Sequence, residues 1–292
     1  MSKITESKNK ISQNIDSMKI SDILNIINNE DKKVPLSISN HLNEIEKIIF
    51  DVVNSFNNEG RLFYVGCGTS GRIGVLDASE CHPTFSVSYD MVQGIIAGGK
   101  TALYKSIEGA EDSFEDGFSS LKEKKITSND SVIGISANGE APFVLGALNY
   151  AFSVSASTSL ISFNELKKKK FVKNNLSIIV GPEVITGSTR MKAGTATKLI
   201  LNMISTTAMI KMNKTYSNYM IDLKISNNKL RQRGIRIISE ITGVDTENAS
   251  LLLKKANKNV KAAIVMQLTG LSYQETIKKL SLNNGNLRDA IK

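Results

Sequence analysis

The sequence is poor in residues that form metal sites, disulfides and base-stacking surfaces. It has no tryptophan, two cysteines and two histidines among 292 residues, and 6% of its residues are aromatic. Cys67 and Cys81 do not form a C-x-x-C motif and are too few for a disulfide framework. His41 and His82 lie far apart in the sequence, without a nearby cluster of carboxylates at zinc-ligand spacing. The sequence therefore predicts a protein without a metal site.

Long hydrophobic runs are also missing. The most apolar stretch, Leu199–Ile210, is interrupted by Asn202, Ser205 and two threonines, whereas a membrane span needs about 18 apolar residues in a row. The first ten residues, MSKITESKNK, contain no apolar signal-peptide core. We therefore expect a cytoplasmic protein that does not bind membranes.

The charge is basic, but its pattern is not typical of a nucleic-acid-binding protein. Lysine and arginine number 37 against 28 aspartate and glutamate, which gives a net charge of +9. The densest run, Lys167–Lys170, follows a predicted strand and has few aromatic residues near it. A solvated loop is therefore favoured over a nucleic-acid patch. The positive charge would also attract anionic small molecules.

Hydrophobic periodicity divides the chain into three predicted parts. Residues 1–58 are polar and helical, and residues 226–292 contain short helices that end at glycine or asparagine turns. Residues 59–225 alternate short β-branched runs with helices, which predicts a parallel sheet covered on both faces. The predicted strands are Leu62–Val65, Val92–Ala97, Ser131–Ser136, Thr158–Phe163 and Leu176–Val180.

The first chemical motif is G-x-G-x-x-G at residues 66–71, directly after the first predicted strand. Its glycines let the backbone approach an anion, and the following helix start offers free N–H groups. A sugar phosphate, a dinucleotide and a purely structural turn all remain open at this point. A dinucleotide needs an acidic residue after the second strand, and Asp90 would serve if residues 85–88 formed that strand. The hydroxyls of Thr69 and Ser70 favour a phosphate monoester.

Two more polar turns follow predicted strands: Ser136–Gly139 and Thr186–Arg190. The carboxyl ends of parallel strands meet at one edge of a sheet, where ligands of open α/β sheets bind. Three such turns together favour a phosphorylated ligand. The predicted ligand-binding residues are Gly68, Thr69, Ser70, Gly71, Ser136, Asn138, Gly139, Ser188 and Thr189.

Two glutamates lie beside these turns in the sequence. Glu80 lies near the expected end of the helix that the glycine-rich loop opens, and Pro83 is expected to stop that helix. Glu111 follows the second predicted strand and its glycine turn. A pair of carboxylates without metal ligands suits general acid and general base catalysis. The pattern alone does not select these two from the 28 acidic residues.

Two longer segments carry a family resemblance. Gly60–Cys81 and Gly181–Asn202, each about 22 residues long, resemble the N-acetylmuramic acid 6-phosphate etherases of the sugar isomerase (SIS) superfamily. The second segment is also similar to a signature of glucokinase regulatory protein. The resemblance implies an SIS-type three-layer α/β sandwich. Its five-stranded parallel sheet would be preceded by a helical segment and followed by a small helical domain.

The resemblance also implies a homodimer, no cofactor and a specific reaction. That reaction is cleavage of the lactyl ether of N-acetylmuramic acid 6-phosphate to N-acetylglucosamine 6-phosphate and D-lactate, in amino-sugar catabolism and cell-wall recycling. Glu80 would protonate the leaving oxygen, and Glu111 would act at C2. Two alternatives are a non-catalytic SIS sugar-phosphate sensor and an aldose–ketose isomerase.

One loop departs from the family pattern. Residues 136–142 read SANGEAP, where the family pattern is closer to A-S-G-R-T-P. Asn138 still offers an amide donor, but Glu140 would repel a phosphate if it pointed inward.

Overall fold

The computed structural model describes residues 3–292, which divide into two compact units. The first unit contains the chain up to Ser79 together with Tyr89–Thr206, and the second contains Glu80–Ser88 and Thr207–Lys292. The three-part division into residues 1–58, 59–225 and 226–292 stays a prediction. Within the described residues, no helix is both long enough and apolar enough to cross a membrane.

A parallel sheet of five strands forms the centre of the first unit, in the order β2-β1-β3-β4-β5. All residues of β1 and β3 are buried, because helices cover both faces of the sheet. The predicted five-stranded parallel sheet is thus confirmed. The last strand lies slightly earlier in the chain than the pattern predicted. The strands are β1 (Leu62–Gly66), β2 (Val92–Ile96), β3 (Ser131–Ile135), β4 (Ser157–Ser162) and β5 (Asn174–Ser177).

Helices lie on the two faces of this sheet. Phe63 and Val65 of β1 belong to the same buried cluster as Val144 and Leu148 of α6, whereas Tyr64 meets α4 at Gly74. Since successive side chains of a strand point to opposite faces, α4 and α6 cover opposite faces of the sheet. The helices are α1 (Ile20–Asp31), α2 (Lys33–Ser39), α3 (Leu42–Asn57), α4 (Gly68–Phe85), α5 (Phe114–Glu123), α6 (Pro142–Ser153) and α7 (Lys192–Lys211).

The strand order places a crevice at the carboxyl end of β1. From β1 the chain passes through α4 to β2, and from the neighbouring β3 it passes through α6 to β4, on the other side of the sheet. The last residue of β1, Gly66, is paired with Ile135 at the end of β3. The loops that follow β1 and β3 therefore diverge, and open α/β sheets bind ligands at such a point.

Helix α4 is longer than the sequence predicted. It runs through Pro83 to Phe85, so the expectation that Pro83 stops it is wrong by two residues. Pro83 has no N–H to donate to the carbonyl of Ser79, which weakens the helix at this point, and the helix ends two residues later. The chain leaves the helix at Ser86, whose φ is 54° and whose N–H donates to the carbonyl of His82.

The second unit contains a short antiparallel hairpin and a group of small helices. Side chains of Asn227, Asp245, Asn259, Ser272 and Asn286 cap the starts of these helices. The helices enclose an aliphatic core. Short helices are what the sequence predicted for residues 226–292. The elements are β6 (Thr215–Tyr216), β7 (Tyr219–Met220), α8 (Asn228–Thr242), α9 (Thr246–Lys255), α10 (Val260–Thr269), α11 (Tyr273–Leu282) and α12 (Leu287–Ala290).

Residues 3–17, which precede α1, are held against the rest of the first unit by polar contacts. Residues 3–17 form short 3-10 turns without an apolar stripe. The side-chain amide of Asn9 donates to the carbonyl of Pro182 at 3.2 Å and to Glu30 at 3.0 Å. The hydroxyl of Ser12 donates to the carbonyl of Val184 at 2.6 Å. This segment therefore follows the loop that leads into α7.

A buried ion pair joins α1 to the start of α7. Lys192 and Glu30 are 1% and 2% exposed, and the Lys192 Nζ lies 2.6 Å from a carboxylate oxygen of Glu30. Glu30 also accepts hydrogen bonds from Asn9 and Lys33. Glu183 accepts the N–H of Lys192 at 2.9 Å, which caps α7. Buried charges of this kind are stable only when each has its partners.

The substitution Glu30→Ala is expected to destabilise the first unit by about 3–5 kcal/mol, because Lys192 would keep a buried charge without its main partner. The double variant Glu30→Met/Lys192→Met should recover most of this loss, since it removes both ions. Urea unfolding measures both changes. Glu46→Ala, at an exposed position of α3, is the control and should stay within about 0.5 kcal/mol of wild type. A loss below about 1 kcal/mol for Glu30→Ala would contradict the assigned role.

The same network predicts a pH dependence. Burial works to raise the pKa of Glu30, but hydrogen bonds from Lys192 and Lys33 outweigh burial and hold the pKa below 4.5. The resulting stabilisation is present above pH 4.5 and is lost as the pH falls through the lowered pKa. Wild type should therefore lose more stability on acidification than the double methionine variant does.

Candidate functional site

The glycine-rich loop brings the end of β1 against the first turn of α4. A Cβ atom on Gly66 would lie 2.7 Å from the backbone nitrogen of Gly71, and one on Gly71 would lie 2.6 Å from the carbonyl oxygen of Gly66. Gly68 has a φ of 49°, where glycine is favoured. Helix α4 therefore starts directly at the carboxyl end of β1. Its first N–H groups and the positive end of its dipole open on the crevice.

The loop after β3 forms a turn that side chains hold closed. The hydroxyl of Ser136 donates to the Oδ1 of Asn138 at 2.9 Å, and the N–H of Glu140 donates to the same oxygen at 2.9 Å. The Nδ2 group of Asn138 stays available as a donor. Glu140 pairs with Lys3 at 2.5 Å, so the charge of Lys3 offsets its negative charge.

The third polar loop lies before α7 and contacts the start of the chain. Gly187 has a φ of 76°, and its N–H donates to the carbonyl of Thr5 at 3.2 Å. The N–H of Gly194, in the first turn of α7, donates to the carbonyl of Thr189 at 3.0 Å. The loop is thus fixed between the N-terminal segment and α7.

These three loops surround a pocket of about 270 Å³ at the carboxyl ends of β1 and β3. Its walls offer hydroxyl groups, one side-chain amide and the N–H groups of the first turn of α4. Such donors, at the N-terminus of a helix, are suited to an anion. The pocket is lined by Thr5, Glu6, Cys67, Gly68, Thr69, Ser70, Glu111, Ile135, Ser136, Ala137, Asn138, Ala141, Gly187 and Thr189.

A second pocket of about 330 Å³ adjoins the first. Cys67, Gly68 and Glu111 line both pockets, so Glu111 lies at their junction. The second pocket is further lined by Arg72 of α4, by Ala97 and Ala102, and by residues 106–110. The first pocket thus offers polar groups, the carboxylate of Glu111 lies where the two pockets meet, and the second pocket adds space beyond it.

The two pockets differ in charge. Within residues 3–292, no lysine, arginine or histidine lines the first pocket, whereas Arg72 lines the second. The Nε of Arg72 donates to the carbonyl of Leu103 at 3.3 Å. An anion in the first pocket would therefore be held by hydroxyl and N–H donors and by the dipole of α4.

The structure brings most of the residues predicted from the sequence to one place. Gly68, Thr69, Ser70, Ser136, Asn138, Thr189 and Glu111 all line the first pocket. Gly71, Gly139 and Ser188 are in the same loops but are not among its lining residues. Gly71 is the position where α4 approaches β1, and Gly139 has a φ of 72° in its turn.

Glu80 is placed differently from Glu111. It is exposed and lies twelve residues after Gly68 on the same helix, which corresponds to about three turns. It is not among the residues that line either pocket of the described chain.

Sequence reasoning missed Thr5, Glu6 and Arg72 as lining residues. Thr5 and Glu6 reach the first pocket because Thr5 is tied to Asn164: the Thr5 N–H donates to Asn164 Oδ1 at 3.3 Å, and the Asn164 amide donates to Thr5 Oγ1 at 2.9 Å. No local sequence pattern signals such a distant contact. The arginine was visible as the last residue of the motif Gly66–Arg72.

The structure does not support the dinucleotide interpretation. Residues 86–88 form no strand, and the second strand is β2, which begins at Val92. Asp90 therefore precedes the second strand. It lies at the amino end of that strand, whereas the pocket lies at the carboxyl ends of the strands. An acidic residue that binds a ribose would have to follow that strand.

The geometry and two family matches define the class of protein. Residues 44–152 match the glucokinase regulatory protein N-terminal SIS domain, and residues 217–262 match the C-terminal lid domain of glucokinase regulatory protein. A protein of E. coli CFT073, solved as a complex, has the same fold. It gives a TM-score of 0.50 at 17% identity, covering 69% of this chain and 97% of that chain. The first unit is thus an SIS-type α/β domain.

Curated relatives narrow the class to one family. The N-acetylmuramic acid 6-phosphate etherase of Bacillus cereus strain AH187 is 48% identical over 288 residues, which is 98% of either chain. The enzyme of the same name from Bacillus mycoides strain KBAB4 matches to the same extent. This chain belongs to the N-acetylmuramic acid 6-phosphate etherase family, and the resemblance stated from the sequence is confirmed.

The junction also contains a thiol that is held neutral. Burial raises the pKa of Cys67 from 9.0 to about 12, and the negative charges of Glu111 and Asp112 contribute to the rise. The thiolate is the reactive form of cysteine. In a Cys81→Ser background, Cys67 should therefore react with iodoacetamide at pH 8 roughly a thousandfold more slowly in the native chain than in urea. The additional substitution Glu111→Gln should speed labelling, because it removes one negative charge.

Intact-mass spectrometry over time measures this labelling. The urea-unfolded chain is the control, since its thiol is solvated. Rapid native labelling of Cys67, or a labelling rate that does not respond to Glu111→Gln, would contradict the placement of the thiol beside this carboxylate.

Proposed function

We propose that this chain cleaves the lactyl ether of N-acetylmuramic acid 6-phosphate with water, giving N-acetylglucosamine 6-phosphate and D-lactate. The observation that carries the proposal is the position of Glu111 between a donor-rich anion pocket and a second chamber. Membership of the etherase family over 98% of the chain supports it. The substrate is a phosphorylated sugar, which its charge retains inside the cell, and we therefore place the enzyme in the cytoplasm.

The reaction requires removal of a proton before the ether is broken. In the open-chain sugar, the aldehyde at C1 acidifies the proton at C2. A base removes this proton, the C2–C3 double bond forms, and the C3–O bond breaks as the lactyl oxygen takes a proton from an acid. Water then adds across the double bond, with its hydroxyl at C3 and its proton at C2. The atoms balance with water alone, so we expect no cofactor.

The phosphate would anchor the sugar in the first pocket. The hydroxyls of Thr69, Ser70 and Thr189 and the amide of Asn138 line this pocket, and Ser136 is proposed to hold that amide in place through the hydrogen bond it donates to Asn138 Oδ1. Ser188, in the same loop as Thr189, is proposed to assist. Binding energy from the phosphate, which does not react, serves to position C2 and C3 for proton transfer.

Glu111 is proposed as the base at C2 and Glu80 as the acid at the lactyl oxygen. An acid and a base at one site need surroundings that favour opposite protonation states. By microscopic reversibility, each exchanges role when water adds. Positioned proton transfer of this kind contributes about 10²–10⁴-fold to a rate.

A homodimer would bring Glu80 to the site. Leu76 is 55% exposed and lies one helical turn before exposed Glu80, so both side chains share one face of α4. The family resemblance implies a homodimer, and a contact through this face would cover Leu76 and bring Glu80 to a second chain. We propose that a second copy packs on this face and that Glu80 acts in the pocket of the partner chain.

The substitutions Glu80→Gln and Glu111→Gln should each reduce D-lactate release by at least about 10²-fold, since each removes one proton-transfer group. The two variants should differ in a second assay. With N-acetylglucosamine 6-phosphate in heavy water, exchange of the C2 proton should persist in Glu80→Gln and be lost in Glu111→Gln. NMR follows the exchange, and a coupled dehydrogenase assay follows the lactate.

Two outcomes would contradict this assignment. Near-normal lactate release by either variant would remove that residue from the mechanism, and equal loss of exchange in both variants would remove the division of roles. Wild-type protein that interconverts an aldose and a ketose, or that binds the sugar phosphate without turnover, would instead support the isomerase or the sensor.

Mixing the two inactive variants tests the proposed dimer. If Glu80 acts across the interface, a mixed dimer has one site with both glutamates, and random exchange of chains gives about a quarter of wild-type activity. If Glu80 acts within its own chain, the mixture stays inactive. The measurement is lactate release after the two variants are unfolded and refolded together, with each variant refolded alone as the control.

A further inference from the structure

The proposed substrate carries two anionic groups. The phosphate is at C6, and the lactyl group attached to O3 ends in a carboxylate. The first pocket offers donors for one anion. A buried carboxylate needs a partner of its own, because an unpaired charge is costly to remove from water.

Arg72 is the cation that faces this space. Among the described residues that line the two pockets, Arg72 alone has a positively charged side chain. It lines the second pocket. Glu108 and Glu111 line the same pocket. Without Arg72 this chamber would contain carboxylates alone and would repel an anionic substituent.

The position of the guanidinium group is fixed by its surroundings. Arg72 lies one turn after Gly68 on α4, is partly buried, and uses its Nε to donate to the carbonyl of Leu103 at 3.3 Å. Within residues 3–292, this contact leaves the terminal N–H groups of Arg72 for a ligand. A guanidinium group binds a carboxylate with two parallel hydrogen bonds, which an ammonium group does not reproduce.

We propose that Arg72 binds the lactyl carboxylate of the substrate in the second pocket. The assignment rests on the proposed etherase function and adds the residue that distinguishes the substrate from its sugar product. It also gives a consistent order along the site. With the phosphate at C6 in the first pocket and the lactyl group at C3 in the second, C2 and C3 lie at the junction, beside Glu111.

The competing interpretation is that Arg72 only holds the 3-10 turn Gly99–Leu103 in place through Leu103. The two roles predict different responses to ligands. A structural role affects every ligand of the pocket, whereas a carboxylate-binding role affects only ligands that carry the lactyl group.

The test compares two ligands that differ by this group. Arg72→Met should raise the KM for N-acetylmuramic acid 6-phosphate at least about tenfold, as expected for the loss of a charged hydrogen bond. It should leave the inhibition constant of N-acetylglucosamine 6-phosphate within about twofold of wild type. The KM of Arg72→Lys for N-acetylmuramic acid 6-phosphate should lie between those of wild type and Arg72→Met, because lysine keeps the charge but not the paired hydrogen bonds.

Lys100→Met is the matched control. Lys100 is exposed and lies in the same 3-10 turn, but it is not among the lining residues of the second pocket. This substitution removes the same unit of charge and should change neither constant. Thermal unfolding of all variants shows whether the turn remains folded.

Three outcomes decide the proposal. A selective loss of affinity for the lactyl-bearing ligand supports it, and a parallel loss for both ligands, or no loss for either, overturns it. Calorimetric titration of wild type and Arg72→Met with both ligands needs no turnover. If wild type binds both sugars but releases no lactate, the proposed function fails while the role of Arg72 is still decided. If wild type does not bind N-acetylmuramic acid 6-phosphate, both fail.

Discussion

The close contact between Gly66 and Gly71 sets the geometry on which the site depends. A side chain on either glycine would clash with the backbone of the other. A Cβ atom added to Gly66 or Gly71 would lie 2.6–2.7 Å from a backbone atom of its neighbour. Strand β1 is paired on both sides, by β2 and β3, so it cannot move to relieve a clash. The first turn of α4 is therefore held at the end of β1. Its N–H groups, together with the loop after β3, then define an anion pocket whose described wall contains no cation.

The N-terminal segment completes this pocket through polar contacts, and it also shows why part of the site was not visible in the sequence. Thr5, Asn9 and Ser12 are buried although residues 3–17 have no apolar stripe. Their partners lie more than 150 residues away in the cases of Asn164, Pro182 and Val184. Hydrophobic periodicity reports which face of an element is buried, but it does not report hydrogen bonds between distant loops. A fully satisfied buried network of this kind favours one arrangement of the loops it joins.

The sequence predicted the sheet well because buried parallel strands are continuous β-branched runs. The exception is instructive. Ile178 and Val180 are buried, yet the fifth strand ends at Ser177, so a hydrophobic run marks burial and not the end of pairing. Helix α5 was not predicted. It is largely polar, and its position depends on Gly117, where a Cβ would lie 1.8 Å from the carbonyl oxygen of Phe143. This contact between α5 and α6 arises from the folded chain and leaves no local pattern in the sequence.

Burial, together with the charges of Glu111 and Asp112, raises the pKa of the cysteine beside the proposed base. A bound substrate would bring two anionic groups to a site that already contains Glu111. A thiolate at Cys67 would add a further negative charge at the point where C2 and C3 are held. Burial keeps the pKa of this thiol near 12, so the group is neutral and acts as a small apolar wall. In the proposed complex, the donors of the first pocket and the guanidinium group of Arg72 would balance the two substrate anions from opposite sides. In this proposed complex the carboxylate of Glu111 would face the reacting carbons, which is the arrangement that removal of a proton at C2 requires.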